Sequence, residues 1–430
     1  MGIYTAYDRK WFRNFSEINV GGVMEFKGEV ILDVAMEIGM NLLRCGAEIR
    51  RVEDTITYIC KAYGASEVDV FAIPTLIIAT IEVDGQSYTT KVKRNLNVTT
   101  DLYRLEKYNK LSRKICKETP TLDKVKEEVE RIQSLKDYNL LIVYVGAILA
   151  ASGFALFFGG SYKDAISAGI VSIIMTLFLR IKIEKMNQFV HILICSLIGG
   201  FCSLCMSWIG LVDNLSYVMS GGIMIIIPGL AIGTSIRDIM SNDILSGSVR
   251  LFQAVVTSAA IATGFSVFAE FYSGPIEMTA TVEWWMVLIT AFFSTLGFAI
   301  IFNNKYSHLW IVSLCGVAAC VAYIFPYYAS NNTFFSVMMG TVLATFLAEI
   351  LARVLKAPTT VFLLPAIIPF VPGARLFFTM YSLINSDFTS FKDNFLELML
   401  ASLGIAVGII LASVVTQLIL NAIKKLKTKN

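Results

Sequence analysis

Ten long apolar runs dominate the sequence after residue 139. Each has about the 20 residues that an α-helix needs to cross the hydrocarbon core of a bilayer. Inside a bilayer every backbone polar group must be satisfied within the protein, so such runs predict transmembrane helices rather than open strands. The runs cover residues 140–159, 164–181, 189–211, 216–234, 248–272, 283–303, 307–326, 333–355, 358–380 and 394–423.

Charged residues are concentrated ahead of the apolar runs. Residues 1–138 hold 42 of the 69 charged side chains, and the other 292 residues hold 27. With a hydrophobic content of 56%, this distribution predicts a polytopic membrane protein with a charged N-terminal domain over residues 1–138. The first apolar run starts too late for a cleaved signal peptide, so we expect this domain to stay in the cytoplasm. The net charge of +3 is too small to indicate nucleic-acid binding.

Lysine and arginine residues in the loops indicate the orientation of the chain. When the loops between ten spans are assigned to alternate sides, the opposite side receives Lys163 and Lys392, with Arg375 buried or at its border. By the positive-inside rule, both termini then lie in the cytoplasm, and the chain is a multi-pass protein of the plasma membrane. The basic residues on the side of the N-terminal domain are Arg180, Lys182, Lys185, Arg237, Arg250, Lys305, Arg353, Lys356, Lys424, Lys425, Lys427 and Lys429.

The apolar region contains an internal repeat. The decapeptide GFALFFGGSY at 153–162 recurs as GFAIIFNNKY at 297–306, an offset of 144 residues. At the same offset every predicted span of the first half meets a span of the second half. The alternative is chance similarity between apolar helices, in which Gly, Ala and Phe recur easily. Further pairs at this offset are Pro228-Gly229 with Pro372-Gly373, Asp243 with Asp387, and Gly264 with Gly408.

Each repeat unit holds five predicted spans, over residues 139–275 and 283–424. An odd number of spans reverses the second unit relative to the membrane, as in many secondary transporters. The predicted fold is therefore a mainly α membrane protein with ten transmembrane helices in a 5+5 inverted repeat. A small α/β domain with a β-hairpin precedes these helices on the cytoplasmic side.

The N-terminal domain shows helical and strand patterns in turn. Apolar residues recur at helical spacing over 28–63, and residues 67–94 are rich in strand formers. Asp84-Gly85 within the second stretch is a strong signal for a two-residue hairpin. Two helices follow, one amphipathic over 99–118 and one from Thr121 to about residue 135. These patterns predict a small domain with the order helix, hairpin, helix, helix.

The sequence lacks the usual enzymatic and metal-binding motifs. The N-terminal domain has no histidine, no G-x-G-x-x-G and no phosphate loop. Its charged cluster at 48–54 includes Glu53 and Asp54, which suit acid–base chemistry but more often form a salt-bridged helix face or a docking surface. Cys202 and Cys205 form a C-x-x-C pair in an apolar run without the further ligands of a zinc site. We therefore expect no enzymatic activity, no metal and no cofactor.

Two segments resemble a known family of exporters. LLRCGAEIRRVEDTI (42–56) is similar to the signature helix LL-x-x-GA-x-x-x-RVE of the threonine/serine exporter family. RVLKAPTTVFLLPAIIPFVPGARLF (353–377) resembles the C-terminal module of that family, with a basic-x-x-x-Pro entry and a Pro-rich VPG segment. The stretch 97–115 is similar to the helix that follows the signature. The signature residues matched here are Gly46, Ala47, Arg51, Val52 and Glu53.

The resemblance carries expectations about the fold and the activity. Members of this family occur as fused chains or as two subunits divided between the membrane halves, which fits a repeat boundary near 275–283. The family implies export of small polar metabolites, namely threonine and serine in some members and dicarboxylates such as succinate in split-chain relatives. No position of the sequence assigns the substrate.

Two helix-breaking segments mark the predicted substrate site. Residues 225–233 contain Pro228-Gly229, and residues 364–373 contain Pro369 and Pro372-Gly373. A broken helix exposes N–H groups that attract a carboxylate, and irregular backbone at membrane depth is tolerated where it lines a cavity. Paired breaks in two repeats therefore point to the substrate site of a transporter. The alternative for each segment is a packing kink.

Four ionisable residues join the candidate site. Arg375 follows the second break and is able to hold a substrate carboxylate by two parallel hydrogen bonds, or else to snorkel to the interface. Glu349 is a candidate proton carrier, although an ion pair with Arg353 explains it equally well. Asp243 and Asp387, in matching loops, either cap the following helices or gate the pathway.

The combined prediction is a secondary transporter that exports a small amino acid or dicarboxylate by alternating access. Proton coupling is expected because export needs a driving force and the sequence contains no ATP-binding motif. The alternatives are a channel, and a membrane-anchored sensor or enzyme whose working part is the N-terminal domain. The expected partners are the lipid bilayer, the substrate and protons, with homo-oligomerisation left open.

Overall fold

A computed structural model describes residues 27–83, 85–94, 99–181, 186–240, 242–274 and 282–427. The protein is mainly helical, with one small sheet near the N-terminus. This first, α/β part contains α1 (Lys27–Arg44), α2 (Ile49–Ala62), β1 (Glu67–Ile73), β2 (Leu76–Val83), β3 (Gln86–Arg94), α3 (Leu102–Glu118) and α4 (Leu122–Gln133).

Gly46 separates α1 from α2, where the sequence pattern ran on as helical. Its φ of +87° lies in the left-handed region, which glycine adopts without steric cost. The N–H of Gly46 donates to the Leu43 carbonyl at 3.1 Å, and the N–H of Ala47 donates to the Leu42 carbonyl at 3.0 Å. These two bonds are the Schellman ending of a helix, so the glycine of the signature segment ends α1.

The sheet has three antiparallel strands in the order β1-β2-β3, one more than the predicted hairpin. The extra turn joins Ile73 to its register partner Leu76, so the strand formers before Asp84 form two strands instead of one. Asp84 of the predicted turn lies outside the described residues, but Val83 pairs with Gln86 across that turn. Along β2, buried and half-buried residues alternate, so one face packs inward and contacts α1.

The helical part follows without further strands among its described residues. It contains α5 (Leu140–Phe157), α6 (Tyr162–Arg180), α7 (Gln188–Trp208), α8 (Leu215–Ile223), α9 (Gly229–Met240), α10 (Ile244–Ala269), α11 (Trp284–Ile301), a 3-10 turn (Tyr306–His308), α12 (Leu309–Ser330), α13 (Thr333–Val354), α14 (Thr359–Ile367), a second 3-10 turn (Ile368–Phe370), α15 (Gly373–Ile384) and α16 (Phe388–Lys427).

Eight of the described helices are long and apolar enough to cross a membrane. The segments Thr359–Phe370 and Gly373–Ile384 pass the same test as a pair, bent by 50° at the break between them. These nine candidates match nine of the ten predicted runs. The remaining run, 216–234, is divided between α8 and the start of α9, each too short to span a bilayer alone.

The helix boundaries recur at the offset of the sequence repeat. α8 covers 215–223 and α14 covers 359–367, while α9 covers 229–240 and α15 covers 373–384, so both pairs are displaced by 144 residues at each end. α5 and α11 start at 140 and 284, and α10 and α16 start at 244 and 388, which are again 144 apart. Corresponding segments of the two halves therefore form corresponding elements.

α5 and α11 cross closely at glycines, and the crossing contacts occur in two equivalent copies. A Cβ built on Gly153 would lie 3.0 Å from the backbone N of Ser294, and one built on Gly297 would lie 2.5 Å from the backbone N of Ala150. Ser294 is the counterpart of Ala150, and Gly297 is that of Gly153, at the offset of 144. A contact that repeats with its partners exchanged is the mark of local two-fold symmetry.

The α/β part docks on one end of the helical part and touches both halves. The N–H groups of Leu102 and Tyr103, in the first turn of α3, donate to the carbonyls of Phe302 and Asn303 at 2.9 and 3.0 Å. At the other half, the Ser246 hydroxyl of α10 contacts the Ala72 carbonyl at 3.4 Å. We call this the docked end of the helical part. The apolar core of the α/β part is continuous with that of α11–α14.

Candidate functional site

Both predicted breaks interrupt a helix and restart it at a glycine. α9 restarts at Gly229 and α15 at Gly373, each directly after a proline that supplies no N–H. In the first turn of each new helix, the N–H of Ile232 donates to the Pro228 carbonyl at 3.3 Å and that of Leu376 to the Pro372 carbonyl at 2.9 Å. These bonds are equivalent at the offset of 144, so the two breaks share one local geometry.

The two breaks lie against each other. A Cβ built on Gly229 would lie 2.1 Å from Cγ1 of Val371 and 3.8 Å from Cα of Gly373. A Cβ built on Gly373 would lie 2.9 Å from Cγ2 of Ile227, which is the counterpart of Val371. The contact therefore occurs twice with the partners exchanged, like that between α5 and α11. Only glycine fits at either position without displacing the other chain segment.

The meeting of the breaks brings two helix N-termini together. Pro369, Pro372, Gly373 and Gly229 are buried, and Pro228 is half-buried. The first N–H groups of a helix lack partners within it, and the helix dipole adds partial positive charge there. Two such N-termini in an apolar setting favour a carboxylate, because charge interactions strengthen where water is scarce.

Among the side-chain hydrogen bonds of the described residues, Arg375 bonds to α16 and not to the residues of the breaks. It lies in the first turn of α15, is exposed, and its Nη1 donates to Oδ1 of Asn394 on α16 at 3.1 Å. One turn further along α16, Glu397 accepts a hydrogen bond from the Thr333 hydroxyl at 2.7 Å. The sequence interpretation missed Asn394 and Glu397, although a carboxylate inside an apolar run is a signal in itself.

Glu349 pairs with Arg353 near the docked end. Nη2 of Arg353 lies 3.2 Å from Oε2 of Glu349, and Nη1 of Arg353 donates to the Glu349 carbonyl at 2.7 Å. The spacing is i, i+4 along α13, as the sequence allowed. The carboxylate thus has a cationic partner on its own helix.

Asp243 and Asp387 precede equivalent helices but differ in their bonds. Asp387 accepts a hydrogen bond from the N–H of Ser390 at 3.1 Å and caps α16. Asp243 makes no capping bond with its side chain at the start of α10. It lies instead within electrostatic range of Arg237 and Arg250. Asp243 lies at the docked end, three residues before Ser246, which contacts Ala72.

The remaining residues of the signature segment act within the α/β part. Glu53 accepts a hydrogen bond from the N–H of Ala72 at 2.9 Å and so ties α2 to the end of β1. Burial raises the pKa of Glu53, and the bond from Ala72 offsets only part of that rise. Nε of Arg51 is buried without a hydrogen-bond partner among the described residues. Glu53 therefore has a structural partner, whereas Arg51 has an unused donor.

An ion network joins α2 to the docked end of the first half. Nη1 of Arg237 lies 3.3 Å from Oε1 of Glu48, and Nη1 of Arg250 lies 3.0 Å from Oδ2 of Asp238. Nη2 of Arg237 lies 3.7 Å from Oδ1 of Asp238, which links the two pairs. Burial alone would raise the pKa of Glu48, but the charges of Arg237 and Arg51 hold that pKa below its usual value. We call Glu48, Arg237, Asp238 and Arg250 the inner charge cluster.

A second buried polar contact joins α3 to the other half. Oε2 of Glu106 lies 3.1 Å from Nε2 of His308, and Lys110 pairs with the same carboxylate. Burial would raise the pKa of Glu106, but the hydrogen bonds from His308 and Lys110 lower it to about 2. His308 also meets the ring of Phe362 on α14, with ring centroids 5.1 Å apart. Sequence reasoning missed this pair because its members lie 202 residues apart.

The described residues contain no group of three or more His, Cys, Asp or Glu side chains arranged to hold a metal ion. Cys202 and Cys205 are free thiols, half-buried within α7.

Comparisons with known proteins cover most of the chain. A family model described as "Putative threonine/serine exporter" matches residues 33–272, and a second, described as "Threonine/Serine exporter, ThrE", matches residues 287–415. The gap between the two models falls on the connection between α10 and α11. No solved structure shows significant similarity to the chain.

Individual relatives are distant in sequence. The chain is 21% identical over 429 residues to a threonine/serine exporter of Corynebacterium glutamicum, covering 89% of this chain and 81% of that protein. It is 23% identical over 371 residues to pheromone-regulated membrane protein 10 of Kluyveromyces lactis, and 21% identical over 297 residues to an uncharacterised protein of Schizosaccharomyces pombe. The matches cover 76% and 64% of this chain but only 38% and 35% of those longer fungal proteins.

Proposed function

The chain belongs to the threonine/serine exporter family, and we propose that it is a secondary active transporter that exports a small polar metabolite across the plasma membrane. Threonine and serine are the first candidates, because the family description and the Corynebacterium relative name them. A small dicarboxylate is the other candidate. The apolar helices make the chain a multi-pass membrane protein, the setting that this activity requires.

The contact between Gly229 and the Val371–Gly373 segment is the observation that carries the proposal. Secondary transporters bind substrate where discontinuous helices of two repeats meet, and half-helix N-termini there hold anionic groups. α9 and α15 begin at such a meeting point. The substrate carboxylate would bind to N–H groups of their first turns, next to Pro228, Pro369 and Pro372.

The exchanged contacts support a 5+5 inverted repeat of units 139–275 and 283–424. Each half would then be able to adopt the conformation of the other, which moves the opening from one side of the membrane to the other. The α/β domain, residues 1–138, would lie in the cytoplasm with both termini. It bridges the two halves at the docked end and is therefore placed to restrain or release their relative movement.

The polar residues receive distinct proposed roles. Arg375, with Asn394, would guide a carboxylate between the break and the outer side. Glu349 would carry the proton, since its protonation would free Arg353. Asp387 and Asp243 would act at the outer and inner gates. The signature residues Gly46 and Glu53 would hold α2 in place against the membrane helices.

Transport by the purified protein in liposomes tests the proposal. The assay follows labelled serine, threonine and succinate with and without an imposed pH gradient, against protein-free liposomes. The proposal predicts saturable movement of at least one of them, accelerated when protons flow in the opposite direction. Saturable movement at the same rate with and without the pH gradient would contradict proton coupling but not the export function. Absence of movement for the whole panel would overturn the function.

A further inference from the structure

The inner charge cluster offers both signs of charge within one small region. Arg237 contacts Glu48 and Asp238, and Arg250 contacts Asp238. Arg51 and Asp243 lie within electrostatic range of these groups. Together with Arg51 and Asp243, the inner charge cluster provides three guanidinium groups and three carboxylates, so the formal charges balance. Such a set suits a ligand that itself carries one positive and one negative group.

The cluster lies on the route to the meeting point of the breaks. Arg237 follows Gly229 by eight residues on α9, which corresponds to about 12 Å along the helix. It therefore lies between the breaks and the docked end. The side chains of Asp238, Arg237 and Arg250 are only 6, 14 and 19% exposed. Buried ionisable groups are costly in a membrane protein and are a functional-site hypothesis by default.

The repeat shows that the fold does not need these charges. At the offset of 144, the counterparts of Arg237, Asp238 and Arg250 are Tyr381, Ser382 and Asn394, none of them charged. The corresponding helices α15 and α16 pack together without an ion network at those positions. Packing of a half-helix against its neighbour is thus achieved without the cluster. Among these positions, the charges occur in the half whose α9 meets Glu48 of the α/β part.

We propose that the inner charge cluster is the site where a zwitterionic α-amino acid first binds from the cytoplasm. This inference rests on the proposed function. The substrate carboxylate replaces Glu48 at Arg237, because a guanidinium accepts a carboxylate by two parallel bonds. The substrate ammonium takes a place beside Asp238. Arg237 and Asp238 therefore keep an oppositely charged partner while Glu48 and the α/β domain disengage.

The cluster also selects between the two proposed substrate classes. A dicarboxylate would bring a second negative charge next to Asp238, and unfavourable contacts of this kind exclude wrong ligands. A hydroxy acid with the same skeleton as the amino acid would leave Asp238 without the ammonium it is placed to bind. The site therefore favours serine and threonine over succinate and over glycerate, the hydroxy analogue of serine.

Sided membrane vesicles test the proposal with the full-length chain. Serine transport is measured in inside-out and right-side-out vesicles for Arg250→Gln, Asp238→Asn and the control Arg131→Gln, which opens an exposed ion pair with Glu128. Loss of one partner of a buried charge contact predicts a rise of about tenfold or more in the half-saturating serine concentration at the cytoplasmic face. At the outer face it should stay within about twofold. Equal changes at both faces, or none, would overturn the site in favour of a structural clamp.

Ligand-induced stabilisation of the purified protein provides a readout that does not need transport. Serine should raise the midpoint of thermal unfolding of the wild type more than glycerate does, and Asp238→Asn should abolish that difference. Loss of the serine effect in Asp238→Asn with a retained glycerate effect supports the ammonium contact. A wild type that responds equally to the two compounds, or to neither, contradicts the inference, whether or not transport of another solute is found. If Arg250→Gln fails to fold, Arg250→Lys takes its place, because lysine keeps the charge but cannot form two parallel hydrogen bonds with a carboxylate.

Discussion

Gly229 and Gly373 lie back to back, so that a Cβ on Gly229 would come within 3.8 Å of the Gly373 Cα. They are 144 residues apart and hold equivalent positions at the starts of α9 and α15. Because both helices begin at this point, the N–H groups of their first turns lie in one region of the helical part. The proposed substrate site and the symmetry of the two halves both depend on this contact.

Substituting Gly229 by Ala should destabilise the protein by about 1–3 kcal/mol, as overpacking of a core does. The added Cβ would lie 2.1 Å from Cγ1 of Val371. Thermal unfolding in detergent checks this against Gly222→Ala, a buried control whose Cβ would lie 3.4 Å from its nearest neighbour. Removing Val371 Cγ1 in the double variant Gly229→Ala/Val371→Ala should recover part of the loss. Equal stability of Gly229→Ala and Gly222→Ala would contradict the close contact at Gly229.

The crossing of α5 and α11 predicts an order of severity. Gly297→Ala should reduce the yield of folded protein more than Gly153→Ala, since its Cβ would lie 2.5 Å from backbone atoms rather than 3.0 Å. Backbone atoms move aside less easily than a flexible side chain, so relaxation is limited. Gel filtration of the detergent extract measures the folded fraction. The reverse order would show that the helices cross elsewhere.

The breaks show which features of the candidate site can be predicted from the sequence. The offset of 144 predicts that Pro228-Gly229 and Pro372-Gly373 are counterparts, because each copy of the repeat carries the same short pattern. It did not predict that they touch, since contact depends on how two helices pack. For the same reason Glu48 was assigned to a helix face or a docking surface without a partner. Its distance from Arg237, 189 residues along the chain, hides the ion pair from any local pattern.

Other differences have equally specific causes. The sequence predicts one hairpin and not three strands because strand propensity continues through residues 67–94 and only Asp84-Gly85 is a clear turn signal. The helical spacing over 28–63 continues through Gly46, and only the positive φ of that glycine shows where α1 ends. Glu397 lies inside a long apolar run, where a carboxylate indicates a polar contact but the sequence does not identify its partner. Its bond with Thr333 shows that the carboxylate is satisfied within the helical part.

Glu106→Gln should lower the unfolding midpoint at neutral pH and do so less in acid. The Glu106 pKa is held at about 2, below its ordinary value of 4.5, so ionisation stabilises the folded state above pH 4.5. That stabilisation is at most about 3 kcal/mol and is lost as pH falls from 4.5 towards 2. Thermal unfolding between pH 7 and 3 measures the difference, with Glu128→Gln as an exposed control. A difference that stays constant over this range would contradict the assignment.

Arg375→Ala should lower export of a carboxylate substrate by about tenfold, and Arg375→Lys should lower it less. The lysine keeps the charge but cannot form two parallel bonds with a carboxylate. Lys163→Gln is the control, because Lys163 forms an exposed pair with Asp213 elsewhere in the helical part. The measurement is initial-rate transport in liposomes. Unchanged transport in Arg375→Ala would remove this residue from the pathway.

Cysteine labelling tests the inverted topology. In Ser273→Cys, the new thiol in the loop after α10 should react with a membrane-impermeant maleimide from outside intact cells. The native Cys116, exposed on the α/β part, should react only after the membrane is permeabilised. Labelling of position 273 only after permeabilisation would place this loop in the cytoplasm and contradict the ten-span arrangement.

Counterflow of serine tests the central claim most directly. Liposomes containing the protein are loaded with unlabelled serine and diluted into a trace of labelled serine. An alternating-access transporter predicts a transient accumulation of label above the outside concentration, which Gly229→Ala reduces and Gly229→Ala/Val371→Ala partly restores. Equilibration of the label without accumulation would show a channel, and accumulation unaffected by Gly229→Ala would separate transport from the contact between the two breaks.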